Sequence, residues 1–174
     1  STHTLTLFPY TTLFRSRLYL IADELETAEE LTASFRINTA WPIEARGRAW
    51  RIRGPRTDLL VVPLDWTPAG VTTVAEGVDD RAAPVNLLRL LAAPARRHRV
   101  TTALEILPAG QGRPAWSFTC EAGRIVARRG PAALTVEIGA SPALRVTWSR
   151  PGVAPVEAVC DDDWTLEPRA ESVP

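Results

Sequence analysis

The sequence predicts an all-β fold, an antiparallel β-sandwich of about twelve short strands. Three observations predict it: a two-residue period of apolar side chains, turn signals at short intervals, and many prolines. The 174 residues include 15 prolines, a frequency that leaves no room for long helices. Hydrophobic residues make up 45% of the chain, enough for the core of one domain. We therefore expect a single β-sandwich domain over residues 17–168 and a polar, frayed tail over residues 169–174.

The predicted strands follow from the apolar periodicity. Two runs, Leu18–Ala22 and Leu59–Leu64, are apolar throughout and are expected to be buried on both faces. Other segments alternate apolar and polar residues, which is typical of a strand with one buried face. These are residues 31–38, 50–53, 100–106, 116–121, 134–138 and 144–148. In the first of them, Leu31, Ala33, Phe35 and Ile37 should enter the core together.

Turn signals separate these segments, as they do in sandwiches. They are Arg53-Gly54-Pro55, Pro68-Ala69-Gly70, Pro108-Ala109-Gly110, Gly130-Pro131 and Pro151-Gly152. Two segments leave strand and helix open. Residues 24–30 are acidic and rich in helix formers but long enough for only about two turns. Residues 84–93 carry leucines between prolines and fit either structure.

The first sixteen residues differ from the rest of the chain. They are rich in threonine and contain no acidic residue. Thr6–Ser16 reads TLFPYTTLFRS, which resembles the translation of a common sequencing-adapter oligonucleotide. We therefore interpret residues 1–16 as a non-native artefact segment that contributes nothing to stability. The alternative is an N-terminal strand over Leu5–Phe8.

Charge and hydropathy exclude two classes of partner. Twenty acidic residues balance twenty basic residues, all of them arginine. Zero net charge excludes a nucleic-acid binder that works by bulk charge, and no apolar run reaches the roughly 18 residues of a membrane-spanning helix. Because arginine, alanine and proline use GC-rich codons, the abundance of arginine alone does not indicate recognition of phosphate or sulfate.

Tryptophan and arginine form the candidate binding residues. Six tryptophans against two tyrosines is an unusual ratio, and exposed indole rings stack on the apolar faces of sugars. We therefore predict a carbohydrate site from Trp41, Arg46, Arg48, Trp50 and Trp66. The alternative for each tryptophan is a place in the sandwich core.

Catalysis and metal binding have few candidates. Outside residues 1–16, His98 is the only histidine, and its arginine-rich neighbours predict a solvated loop. Asp161–Asp163 offers oxygen ligands for calcium but lacks the spacing of a helical calcium loop. Cys120 and Cys160 are forty positions apart, and a disulfide between them stays open. We predict no catalytic residue, no metal and no cofactor.

The stretch RLYLIADELETAEELTASFRIN, Arg17–Asn38, resembles the C-terminal β-sandwich domain of heparinase II/III-like polysaccharide lyases. The similar elements are a strand ending in Leu20–Leu25 and an alternating strand ending in Ala33–Asn38. Further on, Arg99–Pro108 resembles a late strand with a Thr-x-Leu…Pro ending.

The resemblance implies a domain of an enzyme that cleaves uronic-acid-containing polysaccharides by β-elimination, in the periplasm or outside the cell. It also implies that the catalytic residues lie on a helical toroid outside this chain, so that the domain is inert alone and meets the polysaccharide through that toroid. The alternative function is a non-catalytic carbohydrate-binding or adhesion module of a secreted protein.

Overall fold

Only β-structure is present in the described part of the chain. The computed structural model describes residues 3–7, 18–76, 85–121, 123–138, 144–160 and 166–168, and it contains fifteen strands and no helix in those ranges. The chain divides into two compact units, Ser1–Pro114 and Ala115–Pro174. All strand pairs are antiparallel. The predicted all-β, antiparallel sandwich class is therefore confirmed, with three strands more than the approximate count.

The first unit is a sandwich of two sheets. Its strands are β1 (His3–Leu7), β2 (Leu18–Leu31), β3 (Ser34–Thr39), β4 (Ile43–Arg46), β5 (Ala49–Arg53), β6 (Thr57–Pro63), β7 (Gly70–Glu76), β8 (Val85–Leu91) and β9 (Ala95–Pro108). Sheet I has the order β1-β2-β9-β6-β5-β4, and sheet II has the order β3-β8-β7. Within the segment 84–93, for which strand and helix were both open, Val85–Leu91 forms the strand β8.

The core of the first unit lies between sheets I and II. Trp50, Ile52 and Val61 of sheet I pack with Leu88 and Leu90 of sheet II. Val61, Leu88 and Leu90 are fully buried, and burying one such side chain stabilises a fold by about 1.5–3 kcal/mol. Because strand side chains alternate between faces, the residues between these core positions lie on the outer face of each sheet.

The opposite face of sheet I is also buried in its middle strands. Leu18, Leu20, Leu60 and Leu107 are all at most 5% exposed, although cross-strand register places them away from the core tryptophan. This agrees with the prediction that the continuously apolar runs are covered on both sides.

Strand β2 resolves one open alternative and corrects one prediction. Residues 24–30 continue β2, and the first three of them pair with β9, which overrides their local helix propensity. Leu31 ends β2 and is 49% exposed, so it does not share the core face with Phe35 and Ile37, which do pack against the core. The two residues between β2 and β3 have no regular structure and break the alternation.

His98 was expected on a solvated loop and instead lies inside β9, where it is 5% exposed. Its Nε2 is 2.6 Å from the carbonyl oxygen of Leu31. A carbonyl only accepts, so Nε2 donates this bond. The bond spans the irregular pairing of β2 with β9 between Glu26 and Leu31, which gives the imidazole a structural role.

Part of the N-terminal segment belongs to sheet I. Strand β1 pairs with β2 over five residues, from His3 opposite Glu24 to Leu7 opposite Leu20. The predicted artefact segment thus supplies an edge strand, close to the Leu5–Phe8 alternative. Residues 8–16 lie outside the described residues.

The second unit is a six-stranded antiparallel meander. Its strands, adjacent in chain order, are β10 (Ser117–Glu121), β11 (Arg124–Arg129), β12 (Ala132–Ile138), β13 (Leu144–Arg150), β14 (Val153–Cys160) and β15 (Leu166–Pro168). One face buries Ile125 and Val136, which are direct cross-strand neighbours. Cys120 is not in a disulfide. Cys160 lies four strand spacings away, about 19 Å, which exceeds the roughly 7 Å Cα limit for a disulfide.

Candidate functional site

A pocket of about 770 Å³ lies on the outer face of sheet I, the face that points away from sheet II. Its volume falls within the roughly 300–1,000 Å³ typical of small-molecule sites. Strands β5, β6 and β9 form the floor, and the chain from Ala109 to Pro114 forms one wall. The lining residues are Arg46, Ala49, Arg51, Arg53, Gly54, Asp58, Leu60, Leu107, Ala109, Gly110, Gly112 and Pro114. We call this the arginine pocket.

A buried ion pair lies in the floor of the arginine pocket. Arg51 Nε is 3.2 Å from Asp58 Oδ2, and the two side chains are only 9% and 4% exposed. Their partners on the neighbouring strands are apolar, Leu60 beside Arg51 and Leu107 beside Asp58. The charges therefore neutralise each other in an otherwise apolar floor, where a lone charge would be costly.

Arg51 also fixes the wall of the pocket. Its Nη2 donates a hydrogen bond to the carbonyl oxygen of Gln111. Two backbone bonds shape the same segment: Gln111 N donates to Pro108 O at 3.1 Å, and Ala109 N donates to Arg56 O at 3.1 Å. Between them Gly110 has a φ of +79°, a conformation that L side chains rarely adopt. One arginine thus joins the floor to the wall.

The rim carries positive charge that is only partly compensated. Glu44 bridges two arginines, with Oε2 2.9 Å from Arg46 Nη2 and Oε1 2.9 Å from Arg53 Nε. Both arginine side chains are about half exposed, at 54% and 49%. Since Asp58 neutralises Arg51, Glu44 alone faces two guanidinium groups. The pocket therefore keeps an excess of one positive charge, with two guanidinium groups held in place by a carboxylate.

An exposed indole lies beside this pocket. Trp41 is 47% exposed, and a Cβ built on Gly54 would be 3.5 Å from its Cε3 atom. Asn86 Nδ2 donates to the Trp41 carbonyl at 3.0 Å, and Trp41 N donates to Thr39 Oγ1 at 3.2 Å. These bonds tie the loop between β3 and β4 to sheet II, so the ring is presented on a fixed backbone.

The structure separates the five residues predicted as a carbohydrate site. Arg46 lines the arginine pocket, whereas Trp41 does not line it and lies next to Gly54, which does. Trp50 is 7% exposed in the core, and Trp66 is partly buried and packs against that core. Arg48 donates from Nη2 to Thr67 Oγ1 at 3.0 Å and does not line the pocket.

Sequence reasoning missed Glu44, Arg53 and Asp58. Glu44 and Arg53 have a usable signal, because both lie on the polar side of strands that alternate with Ile43 and Ile52. Asp58 has none, since its burial depends on the register of β6 with β9 and on a wall that follows it by fifty residues.

Metal binding has no residue cluster to support it in the described ranges. No group of three or more histidine, cysteine or carboxylate side chains is arranged there to hold a metal ion. Asp161–Asp163 lies outside the described residues. No helix long and apolar enough to cross a bilayer occurs among the residues that the structure covers.

Comparison with known proteins adds no assignment. No family model, curated protein or solved structure matches this chain significantly. The geometry of the arginine pocket is therefore the basis on which a function is argued.

Proposed function

We propose that this chain is a non-catalytic β-domain that binds an anionic saccharide in the arginine pocket. The observation that carries the proposal is the Glu44 bridge. The half-exposed guanidinium groups of Arg46 and Arg53 both form ion pairs with the carboxylate of Glu44. A saccharide carboxylate presents the same group, and guanidinium–carboxylate pairs are among the strong, geometrically specific contacts of proteins.

The surroundings fit a sugar ring. Trp41 offers an exposed indole face at Gly54, and the floor supplies the apolar side chains of Leu60 and Leu107. The C–H face of a pyranose stacks on such surfaces while its carboxylate reaches the rim. An acidic sugar can use both the apolar stacking surface and the arginine rim, whereas a neutral sugar can use only the stacking surface.

The biological setting we propose is the C-terminal β-domain of a heparinase II/III-like polysaccharide lyase, in the periplasm or outside the cell. In that setting the arginine pocket holds the uronic-acid-containing polymer near a catalytic domain that carries the β-elimination. The alternative is a stand-alone saccharide-binding or adhesion module.

Calorimetric titration with oligogalacturonate and with a neutral cello-oligosaccharide of equal length tests the proposal. We expect saturable binding of the acidic oligomer only, weakened by added salt. Arg53→Gln should weaken it about tenfold or more, the effect of losing a charged hydrogen bond. Trp41→Ala should weaken it about two- to tenfold.

Arg124→Gln is the matched control, since Arg124 is a half-exposed strand arginine paired with Glu137 in the second unit. It should bind like the wild type. Equal affinity for both oligosaccharides, or no effect of Arg53→Gln, would refute the pocket as an acidic-sugar site. A rise in the ultraviolet absorbance of unsaturated uronates, retained through repurification, would show that the chain is catalytic by itself.

A further inference from the structure

The outer face of sheet II carries two arginines directly opposite each other. Register pairs Arg36 of β3 with Arg89 of β8, and Arg89 with Thr72 of β7. The residues on either side of this row, such as Phe35 and Leu90, pack in the core. The alternation of strand side chains therefore places Arg36, Arg89 and Thr72 on the outer face, in one row across the sheet.

This row is electrostatically unfavourable as it stands. Side chains directly opposite on antiparallel strands have Cβ atoms about 4.5–5.5 Å apart, and like charges there destabilise the pair. In the described part of the chain neither Arg36 nor Arg89 forms an ion pair. The Nε of Arg89 is buried and has no hydrogen-bond acceptor there, although a buried donor ordinarily has one.

Two strand arginines of the second unit show a contrasting arrangement. Arg124 Nε lies 3.5 Å from Glu137 Oε1, and Arg145 Nε lies 3.5 Å from Glu157 Oε1. Each of these acids is on a neighbouring strand. Arg36 and Arg89 instead have each other as cross-strand neighbours, with Thr72 next to Arg89 on the third strand.

We propose that the row Arg36–Arg89–Thr72 is a binding site for a tetrahedral oxyanion, a phosphate or sulfate group. Two guanidinium forks and one hydroxyl offer donors to several acceptor oxygens at once, which a phosphate or sulfate carries and a carboxylate does not. An anion bound between Arg36 and Arg89 offsets the repulsion of their positive charges. It also gives the buried Nε of Arg89 a hydrogen-bond acceptor. The site lies on sheet II, distinct from the arginine pocket on sheet I, and does not depend on the proposed function.

Backbone amide NMR of the isotopically labelled chain tests the site. Inorganic phosphate, inorganic sulfate, phenyl phosphate and acetate are titrated separately, with sodium chloride holding the ionic strength constant. We expect saturable shifts at the amides of β3, β7 and β8 with the tetrahedral anions, and weak or no saturation with acetate. Binding of phenyl phosphate as tight as inorganic phosphate identifies a monoester as an acceptable ligand, and binding of the inorganic ion alone identifies a free-ion site.

Arg36→Gln and Arg89→Gln should each weaken binding at sheet II about tenfold or more, and their spectra report directly whether they fold. Arg53→Gln, in the arginine pocket, and Arg124→Gln, in the second unit, are the controls and should leave the sheet II shifts unchanged. If the anions also shift amides at the arginine pocket, those shifts should disappear in Arg53→Gln and persist in Arg36→Gln and Arg89→Gln. That result separates the two sites. Absence of saturable shifts on sheet II, or wild-type affinity in both Arg36→Gln and Arg89→Gln, would overturn the proposal.

Discussion

The buried ion pair in the floor of the arginine pocket makes a quantitative prediction. Replacing Arg51 with methionine leaves the carboxylate of Asp58, whose side chain is 4% exposed, without its counter-ion. Removing one partner of a buried pair typically costs about 3–5 kcal/mol. The change also removes the donor to the carbonyl of Gln111. With an m-value of about 2 kcal/mol/M in urea, we expect the unfolding midpoint to fall by about 1.5–2.5 M.

The double variant Arg51→Met with Asp58→Leu should recover most of this loss. Its new side chains meet Leu60 and Leu107 on the neighbouring strands, and replacing a buried pair by apolar residues is often neutral or stabilising. Arg124→Met, which breaks an exposed pair, should cost less than about 1 kcal/mol. Urea unfolding followed by tryptophan fluorescence and circular dichroism measures all three. If Arg51→Met costs no more than Arg124→Met, the floor is solvated and the argument fails.

Three further changes test the remaining inferences. Glu44→Gln should strengthen binding of oligogalacturonate several-fold in calorimetry, because it removes the carboxylate that competes for Arg46 and Arg53; weaker binding would show that Glu44 only positions the rim. Leu90→Ala, at 0% exposure, should cost about 2–5 kcal/mol in urea unfolding and Leu31→Ala, at 49% exposure, under about 1 kcal/mol; equal costs would refute the core assignment. Gly54→Ala places a Cβ 2.4 Å from the carbonyl oxygen of Thr57 and should lower the melting temperature. At Gly112 an added Cβ meets nothing within 4 Å, so Gly112→Ala should leave the melting temperature unchanged. An unchanged melting temperature in Gly54→Ala would refute the close approach of Gly54 to Thr57.

Local periodicity predicts which residues form strands more securely than it predicts where strands end. Phe35 and Ile37 face the core as the alternation indicates, but Leu31 is separated from them by a break in the strand. The acidic segment 24–30 is a strand because β9 pairs beside it. His98 is buried for the same reason, in spite of its three arginine neighbours. Long-range pairing decided each of these cases, and a short window of sequence does not contain it.

The lining of the arginine pocket was predicted only in part for a related reason. The cluster of tryptophan and arginine in the sequence correctly indicates the β4–β5 hairpin. Because side chains alternate along a strand, however, Trp50 lies in the core and Arg51 lies in the pocket. The face on which a residue lies follows from its register, since a shift of one residue exchanges the two faces. The wall at Gln111 comes from sixty positions away, so no local pattern announces it.

The arginines show why composition and function have to be argued separately. Their number alone indicates no ligand, because the register of the strands decides their surroundings. On sheet I, Arg51 is neutralised by Asp58 while Arg46 and Arg53 share one glutamate. On sheet II, Arg89 has no acid to meet within the described residues. A chain of zero net charge can therefore still carry a local excess of positive charge, because net charge averages over all faces of the molecule and a ligand meets only one of them.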